Sequence, residues 1–173
     1  VSQLFGSKHY AMLKTAVGTI CCAGVVVSLA LSLFGIRQDD NLLLLLQTPE
    51  NIFSDASLYL HIYILGFLFL FLYNVGTGIF TALGDSRTPL YFLIGSSLGN
   101  IALDLLFVIA FDMGVAGVAW ATFLAQGIAC VLALITLFFR LRKLQTTEAQ
   151  QFFSFAVLGQ VTKVAVPSIL QQC

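Results

Sequence analysis

Asn100 and Asp104 stand four residues apart in the run SSLGNIALDLLFVIAF, residues 96–111. At that spacing an amide and a carboxylate share one helix face, one turn apart. Ser96 extends the stripe by another turn. Hydroxyl, amide and carboxylate oxygens in a line are hard ligands, suited to Na⁺ or to an exchangeable proton rather than to a soft metal. The neighbouring side chains are hydrocarbon, and insertion scales charge roughly 2.5–3.5 kcal/mol for an aspartate at the centre of a membrane helix. Such a residue calls for a partner, a bound cation or a proton. The other reading is plainer: Asn100 and Asp104 bond each other or nearby backbone and serve as interhelical glue. The residues alone leave both open.

A third oxygen comes from the next helix. Asp104 lies eight residues before Asp112, and Thr122 lies eight after Gly114. In an antiparallel hairpin joined at DMG, residues 112–114, the two therefore share one depth, about 12 Å from the outer end. Asn100, Asp104 and Thr122 form the expected cation or proton site. Ser96, Asn74 and Gln126 are candidate cavity-lining positions. Asn74 reads equally well as a packing contact, and Gln126 as a bond to a neighbouring helix. His61 is expected near the outer interface, where an amphipathic ring is at home.

Other chemistry is sparse. The cysteines Cys21, Cys22, Cys130 and Cys173 lack C-x-x-C spacing and read as small apolar core residues. His9 and His61 fall on opposite sides of the membrane, so they share no metal. The sequence carries no G-x-S-x-G, H-E-x-x-H or P-loop motif. It is not read as an enzyme, and it calls for no metal beyond Na⁺ at Asp104 and no cofactor beyond a coupling ion, Na⁺ or H⁺.

The elements that must carry these residues follow from composition. Of 173 residues 59% are hydrophobic and 9% charged, with mean hydropathy +0.97. A soluble domain has about a quarter of its residues charged, so bilayer is the natural solvent. A net charge of zero gives no reason to expect nucleic acid. Crossing about 30 Å of hydrocarbon takes about 20 mostly apolar residues. Four segments qualify, at about 15–36, 58–83, 89–111 and 115–139. The fold class is therefore all-α and polytopic. RQDDN, residues 37–41, reads as a connector, and LLLLL, residues 42–46, as a short interfacial stretch. GDSRTP, residues 84–89, reads as a tight turn opening the third span. Residues 1–14 read as the end of a preceding helix and its loop, 140–158 as a linker and 159–173 as the start of a further helix, so the sequence reads as part of a longer protein.

Lys8, Lys14, Arg87, Arg140, Arg142, Lys143 and Lys163 fall on one side of these spans and only Arg37 on the other. That places the seven-residue set in the cytoplasm. The opposite side holds Asp39, Asp40, Glu50, Asp55 and Asp112.

NVGTGIFTALGDSRTPLYF, LGNIALDLLFV, GVAGVAWATFLAQ and VAVPSILQQ resemble the multidrug and toxic compound extrusion (MATE) transporters. SQLFGSKHY is similar to the cytoplasmic end of that family's second helix. The likeness covers nearly the whole chain; Thr81 departs from it, since many members carry Arg there. The resemblance implies twelve helices in two pseudo-symmetric lobes, with this chain holding the end of helix two, helices three to six, the linker and the start of helix seven. It also implies an N-lobe cation site on Asn100, Asp104 and Thr122, completed by an acidic residue of helix one outside this sequence. The activity it implies is secondary antiport in the bacterial plasma membrane. Amphipathic, often cationic organic compounds leave in exchange for Na⁺ or H⁺, by a lobe acting with the remainder of its own chain. Two alternatives stand beside it. One is a flippase for lipid-linked saccharides from the same superfamily, which the lack of Lys or Arg inside any span disfavours. The other is a non-transporting membrane scaffold subunit with Asp104 as glue.

Overall fold

The structure is a computed structural model that describes residues 1–144 and 153–172. The expected linker thus lies partly outside the described residues, as does Cys173. All regular elements among the described residues are helical. A short α1, Ser2–Gly6, precedes α2, Tyr10–Leu45, and α3, Glu50–Ala82. Next come α4, Arg87–Leu105, a π-helical turn at Leu106–Ala110, α5, Gly114–Lys143, and α6, Phe155–Gln172. Four helical segments, Tyr10–Asp39, Glu50–Ala82, Arg87–Ala110 and Gly114–Lys143, are long and apolar enough to cross a membrane.

One boundary differs from the sequence reading. RQDDN and the leucines after it do not form a connector and a separate stretch, because α2 runs unbroken to Leu45. No Gly or Pro interrupts that segment, and leucine is a strong helix former. The helix stops where Gln47 turns left-handed, at φ 54°, and Pro49 follows. Pro49 then caps the start of α3.

α3 is the central helix, with α2 against one side and α5 against the other; α4 packs on α5. The α2–α3 pair is antiparallel. Ser32 donates to the backbone oxygen of Ile64 at 3.1 Å across the pair. An added Cβ at Gly24 or Gly35 would come within 3.2 Å of Phe71 or 3.1 Å of Ile64, so those two glycines set how closely the helices approach. Near the outer end His61 Nδ1 pairs with Asp39 Oδ2 at 2.9 Å. The core sits toward the basic end, where Leu13, Val17, Ile79, Phe80, Leu83 and Leu137 cluster. The start of α6 docks on α2, with the Ser154 amide donating to Thr19 Oγ1. Large apolar side chains on the outer faces, such as Phe34, Ile109 and Phe138, remain exposed, as hydrocarbon-facing residues do.

The turn between α3 and α4 is fixed by Asp85. One carboxylate oxygen accepts the amides of Arg87, at 3.2 Å, and Thr88, at 3.1 Å. The other accepts the Thr88 hydroxyl at 2.8 Å and pairs with Arg140 in the last turn of α5. Asp85 therefore caps α4 and ties the turn to the neighbouring helix end. The Thr88 amide and hydroxyl first, and then the Arg140 guanidinium, hold its carboxyl below the usual carboxylate range. A lowered folded-state pKa gives stabilisation that is present above the unfolded value, about 4, and lost as pH falls through the lower folded value. Asp85→Ala is therefore expected to cost about 1 kcal/mol at neutral pH, the usual effect of a lost cap. The gap from wild type should shrink in thermal unfolding followed in detergent as pH drops below about 4. Arg140→Gln should cost less, because the Arg140 side chain is solvent-exposed and the cap bonds to Arg87 and Thr88 remain.

Candidate cation site

α4 is a helix without a buried residue. Its partly covered positions nevertheless form a stripe through Phe92, Ser96, Asn100, Leu103, Asp104 and Phe107. Asn100 and Asp104 lie on that stripe, while Leu98, Ile101 and Leu105 are exposed. Helical spacing alone dictates this: residues four apart repeat on the covered face. Asn100 Nδ2 and Asp104 Oδ1 are both buried without a hydrogen-bond partner among the described residues.

The depth of Thr122 follows from the close contact at the hairpin. A Cβ at Gly117 would lie 3.1 Å from Phe107 Cβ and 3.2 Å from the Phe107 carbonyl carbon, so these residues face each other. Counting three residues back along α4 and three forward along α5 sets Asp104 opposite position 120. Asn100 then falls opposite position 124, and Thr122 lies between the two levels. Its side chain lines a small crevice between α3 and α5 together with Gly66, Phe123 and Gln126. Gln126 Oε1 is a third buried oxygen or nitrogen without a partner among the described residues. Its position one turn beyond Thr122 is a sequence signal that ranks it beside the other three.

The remaining candidates are spread out. Ser96 lines an apolar cleft of about 370 Å³ between α4 and α5, walled by Phe92, Gly99, Leu103, Ala125 and Ala129. Asn74 lies on an exposed face of α3 and donates to the Leu70 carbonyl of its own helix at 2.8 Å. α3 and α5 run parallel, with Gly66 against Phe123 and Gly76 against Ala133. That register sets Asn74 about 13 Å along the axis from the level of Thr122. Thr81 is likewise exposed and bonds back to Thr77.

The donor types suit a hard cation or a proton. They are a carboxylate and a side-chain amide on one stripe, while the Thr122 hydroxyl lies between their levels and lines the α3–α5 crevice instead. Rotating the Asn100 amide by half a turn exchanges its donor for an acceptor, so the position serves either occupant. No three His, Cys, Asp or Glu side chains gather to hold a metal ion among the described residues.

No sequence motif marks the π-helical turn that begins two residues after Asp104. Its wider hydrogen bonding, with the Phe111 amide donating to the Leu106 carbonyl at 3.2 Å, shifts the phase of the helix just past the site. The hairpin beyond it needs two left-handed residues, Asp112 at φ 52° and Gly114 at φ 54°.

A MatE family model matches residues 1–106. The chain belongs to the MatE family. It is 44% identical over 103 residues to the probable multidrug resistance protein YpnP of Bacillus subtilis (strain 168), a match covering 60% of this chain. The match spans 23% of that relative's length. Two solved structures share the MatE fold, and each covers 99% of this chain. One is described as the inward-facing conformation of a multidrug resistance MATE family transporter of the MOP superfamily (TM-score 0.82, 19% identity). The other is described as the outward-facing conformation of such a transporter (TM-score 0.78, 22% identity). The chain spans 39% of each. Asn100 and Asp104 occupy the third of the four long apolar helices among the described residues, and Thr122 the fourth.

The tight contact at Gly117 generates a prediction. A methyl group there meets Met113 Cβ at 3.0 Å and the Phe107 backbone at 3.2 Å, so the π-helical turn must move. Gly117→Ala is expected to destabilise the protein by about 1–3 kcal/mol, the usual cost of overpacking. The check is the midpoint of thermal unfolding in detergent, with Gly99→Ala, which has open space around it, as a comparison expected to gain up to about 1 kcal/mol from helix propensity.

Proposed function

We propose that this chain is part of the N-lobe of a secondary efflux transporter. Drugs or toxic organic compounds leave the cell in exchange for Na⁺ or H⁺, and Asp104, Asn100 and Thr122 hold the coupling cation. The observation that carries the reading is the pair of buried polar atoms on α4 without a partner among the described residues, Asn100 Nδ2 and Asp104 Oδ1. A carboxylate set among lipid-facing helices is costly unless its charge is shared, and an exchangeable cation shares it. The multidrug resistance named for YpnP supports the substrate class. An interior carboxylate, with no Lys or Arg at its depth, suits cationic organic compounds. Gln126, Ser96 and Asn74 are proposed to line the path, and the remainder of the protein supplies the opposing lobe. The bacterial plasma membrane is its proposed location.

Coupling requires that the two facings of the transporter bind the cation differently. On this reading the Asp104 carboxylate is held neutral by Na⁺ or H⁺ in one facing and exposed to organic cargo in the other. A segment that moves as one body suits such a cycle. The likeness of the same chain to both an inward-facing and an outward-facing structure agrees with that.

The test is efflux by the full-length protein in cells lacking their own exporters, read as ethidium accumulation under separate Na⁺ and proton gradients. Asp104→Asn is expected to abolish gradient-dependent efflux while membrane insertion is retained. Thr122→Val, which removes one hydroxyl ligand, is expected to weaken the cation dependence by about two- to tenfold. Undiminished efflux by the Asp104→Asn variant contradicts the reading.

A further inference from the structure

α2 and α5 both pack on α3, yet at the basic end of the bundle they leave a groove of about 530 Å³ between them. That volume lies within the usual range for small-molecule sites, about 300–1,000 Å³. The walls are apolar, built from Val17, Cys21, Leu134 and Leu137, and the rim carries Lys14 and Arg142. Neither cation has an ion pair among the described residues. The acid described at this end, Asp85, is committed to Thr88 and Arg140. Lys14 is also half-buried, which raises the value of a counter-charge.

The dimensions select the ligand. Cys21 lies seven residues beyond Lys14 on α2, so the groove descends about 10 Å from its charged rim along hydrocarbon walls. A small soluble anion fills the rim and leaves the floor bare. An anionic amphiphile fills both, with its phosphate between Lys14 and Arg142 and an acyl chain on Val17, Leu134 and Leu137. Basic pockets between membrane helices on the cytoplasmic side suit such headgroups, and the lysine and arginine distribution assigns this end to the cytoplasm.

We propose that the α2–α5 groove is a binding site for an anionic phospholipid of the inner leaflet, held by Lys14 and Arg142. The lipid bridges two helices that otherwise meet mainly through α3. This assignment stands apart from the cation site, because it uses none of Asn100, Asp104 or Thr122.

The experiment is native mass spectrometry of the full-length protein released from mixed phosphatidylglycerol–phosphatidylcholine membranes. Retained phosphatidylglycerol is compared between wild type and variants whose folding is verified by circular dichroism. Lys14→Gln and Arg142→Gln are each expected to weaken retention about fivefold, and the double variant more. Lys143→Gln, on the same helix end but outside the groove, should leave retention unchanged. Leu134→Trp, which fills the floor with both charges kept, should expel the lipid. Equal retention by wild type and the double variant overturns the proposal, as does an equal loss in Lys143→Gln, which marks diffuse surface charge. Displacement by glycerol phosphate alone at the lipid's own concentration also overturns it, because the groove is then a site for soluble anions.

Discussion

An aspartate among hydrocarbon-facing helices must share its charge. Hydrocarbon does not solvate it, and the cost of leaving it bare there is a few kcal/mol, comparable with a large part of a protein's net stability. Asp104 meets this constraint in a particular way. It stands on the covered stripe of α4 beside Asn100, but neither neighbour nor backbone among the described residues satisfies its buried Oδ1. Interhelical glue predicts the opposite, a closed set of bonds between Asn100, Asp104 and the facing helix. On the proposed reading, these polar atoms are left for an occupant.

The rest of the fold reads as the means of holding that stripe at a fixed depth. α5 is the helix that both α3 and α4 touch, and its buried positions are mostly small: Gly117, Ala119, Ala121, Ala125, Ala129 and Ala133, with Cys130 and Leu137. Small residues let backbones approach where no aqueous hydrophobic effect drives helices together. At one end of the α4–α5 hairpin the Gly117 contact and the left-handed Asp112 and Gly114 fix the register. At the other, Asp85 caps α4 and ties it to Arg140 on α5. The carboxylate stripe lies between two pinned ends, and the π-helical turn follows it at Leu106–Ala110.

Much of this was legible in the sequence, and the exceptions have physical causes. Hydropathy over four long runs gave the helices, and the four-residue spacing of Asn100 and Asp104 gave their shared face. The short DMG link implied one depth for Asp104 and Thr122, whereas the Gly117 contact sets Thr122 between the levels of Asp104 and Asn100, with its side chain toward α3. Rotation about an apolar helix is harder to read. α3 is apolar nearly all round, so periodicity does not say which way Asn74 points, and its exposed position came only from packing. The end of α2 is hard to read because a charged run resembles a loop, whereas RQDDN contains no Gly or Pro to break the helix. The Asp85–Arg140 tie joins residues 55 apart, a distance no local pattern reports. The π-helical turn carries no motif of its own; the glycine that permits it sits on the facing helix.

The most direct test of the central claim is equilibrium cation binding to the purified full-length protein, without any transported compound. Na⁺ binding and proton release are followed together by calorimetry across a range of pH. The account predicts one saturable site in the wild type at which Na⁺ and protons compete, and no such site in D104N. A D104N protein that binds Na⁺ and exchanges protons as the wild type does contradicts it.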